Sequence, residues 1–577
     1  MQENEREREV RFELTEEPPR PLALALSAQT VALILAGILL TPVIVLRAGG
    51  AESYAPWAIF AALVVSGLGT ILQSRPIGRV GSGYVLFMGT SGAVISVGVT
   101  AIQDGSVSLL MTLIVVSSLA LFPLAANLGL LRKIITPTVG GTAMMLIAVS
   151  VMPIAFGLLT QVPEGHGAPD PGAPASALTT LAIIVGLSLF GAKGLKLWSP
   201  IIGLVVGSAV AAAFGLVDLA PLETAPWIGL PAINWPGLDL SFGVDFWALL
   251  PAFVIVTVVG SIESFGDCIA IQRVSWRRPH AVDFRAVQGA VYADGFGTLF
   301  SGLAGTLPNT SLSTSVAVVG MTGVGSRRVG IYGGLLLILL AFFPKIAGAI
   351  LAVPNPVVGA YLIIVLVLLF IHGLSLASEG GFTMEKTLIL GLSFWFGVGF
   401  QNGEVFHDYL PSWAGVLLAN GMTAGTLCAI LLTLLARLNR GHVSTLQVPL
   451  GTQSVPRVHE FVKAQATQAG WDRAATNRLQ LAAEEVLVVM SEKSLEQEEG
   501  RHLRIDARER DGSIELDIVV APQDINLEDR LALMAASKVP AEDAFAFRIL
   551  ASIVDEFHHA QYHGADFVTL RVASRPL

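Results

Sequence analysis

The sequence predicts an all-α polytopic membrane protein of about fourteen transmembrane spans, followed by a soluble α+β domain at the C-terminal end. Three observations predict it. The mean hydropathy is +0.68, and only 14% of the 577 residues are charged against 53% hydrophobic. A soluble chain of that length needs more charge to cover its surface. Apolar runs long enough to cross a hydrocarbon core of about 30 Å recur from Ala28 to Ala436. The charge is also uneven: fourteen of the 35 Lys and Arg lie after Arg440, so two regions with different solvents are implied.

The elements follow in chain order. The first twenty residues, MQENEREREV RFELTEEPPR, are charged and contain no apolar h-region. They exclude a secretory signal peptide and read as a disordered cytoplasmic tail, residues 1–26. A transmembrane domain is expected over 27–438. Its spans fall near 28–48, 55–73, 82–100, 107–127, 133–156, 176–192, 197–217, 245–272, 287–304, 310–323, 328–349, 354–372, 385–400 and 412–436. The ninth, tenth and thirteenth are short or rich in Gly and Ser. Cys268 and Cys428, the only cysteines, both lie in apolar stretches and read as small buried hydrophobes.

Loop charges test this count. With a cytoplasmic N-terminus, one side receives Arg75, Arg79, Arg132, Lys133, Lys193, Lys196, Arg273, Arg277, Arg278, Arg285, Arg327, Arg328 and Lys386, and the other only Arg47 and Lys345. That bias is the positive-inside pattern, and it places both termini in the cytoplasm of a plasma-membrane protein.

Two spans do not read as continuous helices. Gly83–Gly92 in the third and Leu307–Ser315 in the tenth each combine an extended-looking stretch with small residues. Each alone is equally a Pro- or Gly-kinked helix. Non-helical backbone at membrane depth survives only against protein or a watery cavity. A matched pair seven spans apart therefore points to a 7+7 inverted repeat, with a binding site between two half-helix N-termini.

Acids within the apolar spans are few: Glu263, Asp267 and Asp294. Glu263 and Asp267 are four apart in VVGSIESFGDCIAIQ and share one helix face. Gly260 and Gly266 beside them permit close approach of another backbone. A carboxylate here could accept N–H donors from a planar polar ligand or bind a proton; the alternative is a carboxyl capping backbone N–H groups of the broken tenth span. Asp294, beside Gly295 and Gly297, reads rather as a helix-packing residue.

Glu263-Ser264-Phe265-Gly266-Asp267, the run Gly302–Thr310, the run Thr322–Arg327 and the run Pro137–Thr142 resemble the nucleobase–ascorbate transporter family, which includes bacterial uracil and xanthine permeases. The resemblance spans the membrane region. It implies fourteen spans in two inverted sevens, a mobile core and a gate, a homodimer, and uptake of a nucleobase coupled to H+ or Na+. It further implies that Glu263 hydrogen-bonds the base; Asp267 looks closer to purine-type than to uracil-type members. The candidate binding residues are Glu263, Asp267, Thr314, Ser315, Gly89, Thr90, Ser91 and Gln29, with Glu263 also coupling to the proton. The sequence departs from the family where Thr314 and Ser315 replace an acid or amide followed by Asn, Ala317 replaces a glycine, Thr30 follows Gln29 in place of His, and Gly92 stands for an aromatic. A hydroxyl cannot make the bidentate amide pairing with a base edge. A sulfate-type anion permease with the same fold and a ligand sensor with a signalling tail are the competing readings. No enzyme activity, cofactor, metal or nucleic-acid partner is expected. The expected partners are a small molecule, a coupling ion and the lipid bilayer.

Residues 439–577 read as a cytoplasmic α+β regulatory domain. Helical periodicity covers 455–469 and 472–493. Alternating segments at 502–508 and 513–519 meet at the Asp511-Gly512 hairpin signal. A helix near 541–556 and a strand near 566–573 complete it. The run Leu479–Val486 and the ending Ile549–Glu556 with Gly564-Ala565-Asp566 resemble the ATP-binding domain of histidine kinases and anti-sigma-factor kinases. The metal-binding Asn is Val489 here, and Ala521–Asn526 lacks both glycines of the adenine box. The resemblance implies a degenerate, non-catalytic relative used for contacts with a regulatory protein partner or for sensing; an unrelated small α/β regulatory domain explains the same pattern.

Overall fold

A computed structural model of the chain describes residues 10–128, 136–163, 170–277, 280, 282–378, 381–403, 405, 420–438, 444–492, 502–510, 513–520, 553–561 and 566–574. The chain divides into two compact units. The first comprises Met1–Ala125, Leu131–Arg278 and Gly289–Leu434; the second comprises Ala126–Leu130, Pro279–Gln288 and Leu435–Leu577.

The first unit is helical. In order it contains α1 (Arg20–Ala48), α2 (Ala55–Ser74), β1 (Met88–Thr90), α3 (Ile95–Asp104), α4 (Val107–Ser118), α5 (Leu121–Ala126), α6 (Pro137–Leu159), α7 (Gly172–Phe190), α8 (Lys193–Ala213) and α9 (Ala220–Thr224). There follow α10 (Val244–Val274), α11 (Phe284–Ala304), β2 (Asn309–Ser311), α12 (Thr314–Thr322), α13 (Arg327–Ala341), α14 (Pro344–Leu351), α15 (Asn355–Ala377), α16 (Met384–Gln401) and α17 (Gly421–Leu438). Among the described residues eight helices are long and apolar enough to cross a membrane, or nine if α13 and α14, bent by 79°, form one span. The other five expected stretches, at 82–100, 287–304, 310–323, 385–400 and 412–436, do not meet that measure. The first and third of these are broken by β1 and β2, and the last lies partly outside the described residues.

Small residues set the packing. Gly67 on α2 and Gly334 on α13 face each other so closely that a Cβ on either would fall 2.5 Å from the other's carbonyl oxygen. Gly141 on α6 and Gly373 on α15 meet in the same way. The contacts also recur in pairs. α1 packs on α13, α3, α12 and β1, and α10 packs on α4, α12, α3 and β2. α15 packs on α7, and α6 on α16.

The N-terminal stretch differs from the disorder expected of it. From Val10 onward it lies against the bundle, with Val10 and Leu14 buried. Phe12 bridges Val324 in parallel register, and Arg277 pairs with Glu13 and Glu16. A charged composition favours solvation only when no opposite charge and no apolar recess is within reach; here both are.

The second unit holds a five-stranded sheet of order β3-β4-β5-β7-β6, antiparallel throughout. Its strands are β3 (Ser444–Pro449), β4 (His502–Arg510), β5 (Ser513–Val520), β6 (Glu556–Gln561) and β7 (Asp566–Ala573), with helices α18 (Val455–Gln468) and α19 (Arg473–Glu492). Alternate residues Leu503, Ile505, Leu516, Ile518, Val568 and Leu570 build a core with Val458 and Val462 of α18 and Leu479, Val486 and Leu487 of α19. The expected helix near 541–556 lies largely outside the described residues, and its last residue, Glu556, begins β6 instead. The hydrogen-bonding edge of β7 takes up Glu556–Gln561 as a partner strand, although EFHHAQ lacks β-branched residues. The Asp511-Gly512 hairpin, the side chain of Val489 and the Ala521–Asn526 segment also lie outside the described residues.

Candidate functional site

The site grows from two interrupted spans. β1 and β2 pair antiparallel, Met88 opposite Ser311, Gly89 opposite Thr310 and Thr90 opposite Asn309. The ladder extends at both ends through Ser91 N–H to the Pro308 carbonyl at 2.8 Å and Leu312 N–H to the Phe87 carbonyl at 2.9 Å. Each strand then turns into a helix. Ser91 caps the turn Gly92–Val94 that leads into α3, and β2 leads into α12. Gly89 must be small, because a Cβ there would meet Leu312 at 2.7 Å and Ile38 at 2.8 Å.

Backbone this deep among apolar helices needs partners for every N–H group, and neighbouring hydroxyls provide them. Thr70 accepts from Met88 N–H at 2.9 Å, Ser315 from Phe87 N–H at 2.9 Å, and Ser264 from Ser311 N–H at 3.3 Å. Asn309 donates to Ser66 Oγ at 2.7 Å. The many Ser and Thr residues of these spans are therefore structural as much as ligand-directed.

One face of α10 closes on this pair of strands. The close approach expected at Gly260 and Gly266 is not found: a Cβ at Gly260 would lie 4.0 Å from Ser91 Oγ, an ordinary contact distance, and one at Gly266 would meet nothing within 4 Å. Ser264 Oγ is 2.9 Å from Thr310 Oγ1. Asp267, buried, faces Ser313 at the start of α12, and its Oδ2 has no hydrogen-bond partner. Glu263 stands between Gly260 and Asp267 at helical spacing, half-buried, and lies near enough to Asp267 and Asp294 to interact with them electrostatically. From α11, buried Asp294 accepts from Thr310 Oγ1 at 3.4 Å and from Ser311 Oγ at 3.5 Å. A cavity of about 20 Å³ lies between Ser91, Gly260, Ser261, Asp294, Thr298 and Asn309. It has room for about one water molecule, so a planar ring needs these walls to part.

The expected site residues divide accordingly. Gly89 and Ser91 lie in and beside β1, Asp267 faces Ser313 beyond β2, and Glu263 lies near Asp267 and Asp294. Thr90 is beside them, but its hydroxyl donates to the Ile38 carbonyl of α1 at 2.9 Å. Ser315 faces Phe87 N–H and a second, smaller recess with Thr30. Thr314, half-buried, opens α12. Gln29 is half-buried on α1 and lines neither recess. Asp294, read from the sequence as a packing residue, is the third carboxyl of the cluster. Its rarity as an acid in an apolar span was the available signal. Among the described residues no group of three His, Cys, Asp or Glu is arranged to hold a metal ion.

Two interrupted segments crossing inside a helical bundle define the fold of a membrane transporter. The murine anion transporter Slc26a9 in its inward-facing state shares it, with a TM-score of 0.50 at 13% identity, covering 75% of this chain and 71% of that one. Residues 22–405 match the Permease family, and the chain belongs to it. It is 31% identical over 411 residues to a Clostridium perfringens protein named as a purine permease, an alignment covering 69% of this chain and 86% of that one. It is 28% identical over 446 residues to the xanthine permease XanP of Escherichia coli, covering 74% of this chain and 94% of that one. The chain is thus a multi-pass membrane permease.

Proposed function

We propose that this permease is a secondary active transporter of a nucleobase, of purine or xanthine type, driven by a proton gradient. The observation that carries the reading is the face Gly260–Asp267 of α10, which meets the start of both half-helices at the strand pair. The names of the relatives supply the substrate class. Glu263 makes no hydrogen bond among the described residues and is the group available to accept N–H donors from a base edge, as the resemblance implies. The N-terminus of α12 and the Ser313 hydroxyl face Asp267 in the same cluster of carboxyls. The paired packing around α1 and α10 supports fourteen spans in two inverted sevens, and the loop arginines support cytoplasmic termini in the plasma membrane; a homodimer is what the family resemblance implies. Carboxyls at Glu263, Asp267 and Asp294 oppose an anion as cargo, which weighs against the anion-permease reading. Residues 439–577 are a regulatory module of degenerate kinase-ATPase type.

Proteoliposomes with an imposed pH gradient test this. Radiolabelled xanthine should accumulate only when the outside is acidic, and Na+ should not replace the gradient. Saturable binding without any uptake would instead establish the sensor reading.

A further inference from the structure

The acidic stretch that precedes α1 bridges two places that carry the site. On one side the Arg277 guanidinium, just beyond the end of α10, donates to the Val10 carbonyl at 3.0 Å, to the Arg11 carbonyl at 2.9 Å and to both carboxylate oxygens of Glu16 at 2.9 and 2.6 Å. Glu13 accepts from Arg277 N–H at 2.9 Å. On the other side the Gly323 carbonyl, at the end of α12, accepts from Arg11 and Phe12 N–H at 2.7 and 3.1 Å, and Gly325 N–H donates to the Phe12 carbonyl at 2.9 Å. Glu17 pairs with Arg328. Gly323 is left-handed, with φ of 66°, so the chain reverses where the tail grips it. α12 has only nine residues. A helix so short has little packing of its own, and its first turn faces Asp267.

We propose that residues Val10–Glu17 are a releasable strap that ties the end of α10 to the α12–α13 connection and so holds the first turn of α12 against Asp267. Two backbone carbonyls and the carboxylates of Glu16 and Glu13 share a single, partly exposed guanidinium, 42% accessible. Loss of that fork therefore releases the strap from the end of α10 and leaves it held only by backbone bonds at Gly323 and Gly325 and by the pairs of Glu13 with Arg277 N–H and Glu17 with Arg328; a lysine cannot replace the bidentate geometry.

The test uses the full-length protein in membranes with Cys268 and Cys428 replaced by Ala, and reads the reaction of single cysteines with a water-soluble maleimide. Leu14→Cys, on the buried side of the strap, should react slowly. Adding Arg277→Ala should speed it about tenfold, the loss of one charge-assisted hydrogen-bonded pair. Arg277→Lys should lie between, and Arg277→Glu with Glu16→Arg should restore slow reaction. Ser313→Cys, at the far end of α12, should follow the same order. Leu14→Cys rates indifferent to Arg277 overturn the strap; Leu14→Cys rates that change while Ser313→Cys rates do not overturn its hold on α12. Neither measurement involves transport, so both decide the matter even if xanthine uptake is never observed.

Discussion

At the scale of single residues, the site is a problem of partner groups. Buried donors and acceptors cost about 1–3 kcal/mol when left unpaired. Ser264 shows how tightly these needs interlock, since its hydroxyl serves both Thr310 and the Ser311 N–H group. Asp294 accepts from two hydroxyls at once. An amide in its place has only one acceptor oxygen and turns donors toward donors. Asp294→Asn should therefore lower stability by about 1–3 kcal/mol and cut xanthine uptake at least tenfold, read by thermal unfolding in detergent and by vesicle uptake. Glu263 has no such structural duty. Glu263→Gln should leave unfolding unchanged while abolishing or strongly impairing uptake, and normal uptake by this variant would end the assignment. At the strap, hydrogen bonds from Arg277 hold the Glu16 carboxyl below the usual carboxylate range, with Glu13 as the neighbouring acid. A lowered carboxyl contributes above its unfolded value and loses that contribution as pH falls through its folded value. Labelling of Leu14→Cys should thus stay slow from about pH 8 to about pH 5 and quicken only below about pH 4, after correction for maleimide chemistry with an exposed cysteine standard.

At the scale of elements, close helix approach rests on glycine pairs rather than on hydrophobic patterning, because lipid is as apolar as the helix interior. α2 and α13 touch through Gly67 and Gly334. Gly334→Leu forces a side chain into the facing backbone, an overpacking cost of about 1–3 kcal/mol, and size-exclusion chromatography should show loss of the monodisperse peak. Gly157, which meets nothing within 4 Å, should tolerate Ala without change. The interrupted spans were legible as elements. GYVLFMGTSG and LPNTSLSTS each join an extended stretch to small residues, and the strands fall inside them. That β1 and β2 pair with each other, Gly89 against Thr310, was not legible. Register between segments so distant in the chain leaves no local periodicity. The acid pair on α10 was visible because helical spacing alone puts Glu263 and Asp267 on one face. Asp294 was visible only as an anomaly, since nothing within α11 reveals that it meets Thr310.

At the scale of the whole molecule, the two compact units have cores of different kinds. The first buries glycine contacts and hydroxyl networks, and the second buries one face of a sheet under α18 and α19. Removal of residues after 438 should leave a membrane-inserted protein that retains uptake at an altered rate; failure to insert would make the tail structural rather than regulatory. Composition by itself determined that this chain needs a bilayer, where its interrupted segments lie and which acids it places among apolar residues. Those properties follow from solvation and from spacing along one helix, and both are local. Only the tertiary structure decided that Asp294 joins Glu263 and Asp267, that the hydroxyls of Thr90 and Ser315 serve backbone groups, and that the N-terminal acids grip Arg277. Each depends on which distant groups come within about 3 Å of one another, and no local pattern in the chain encodes that distance.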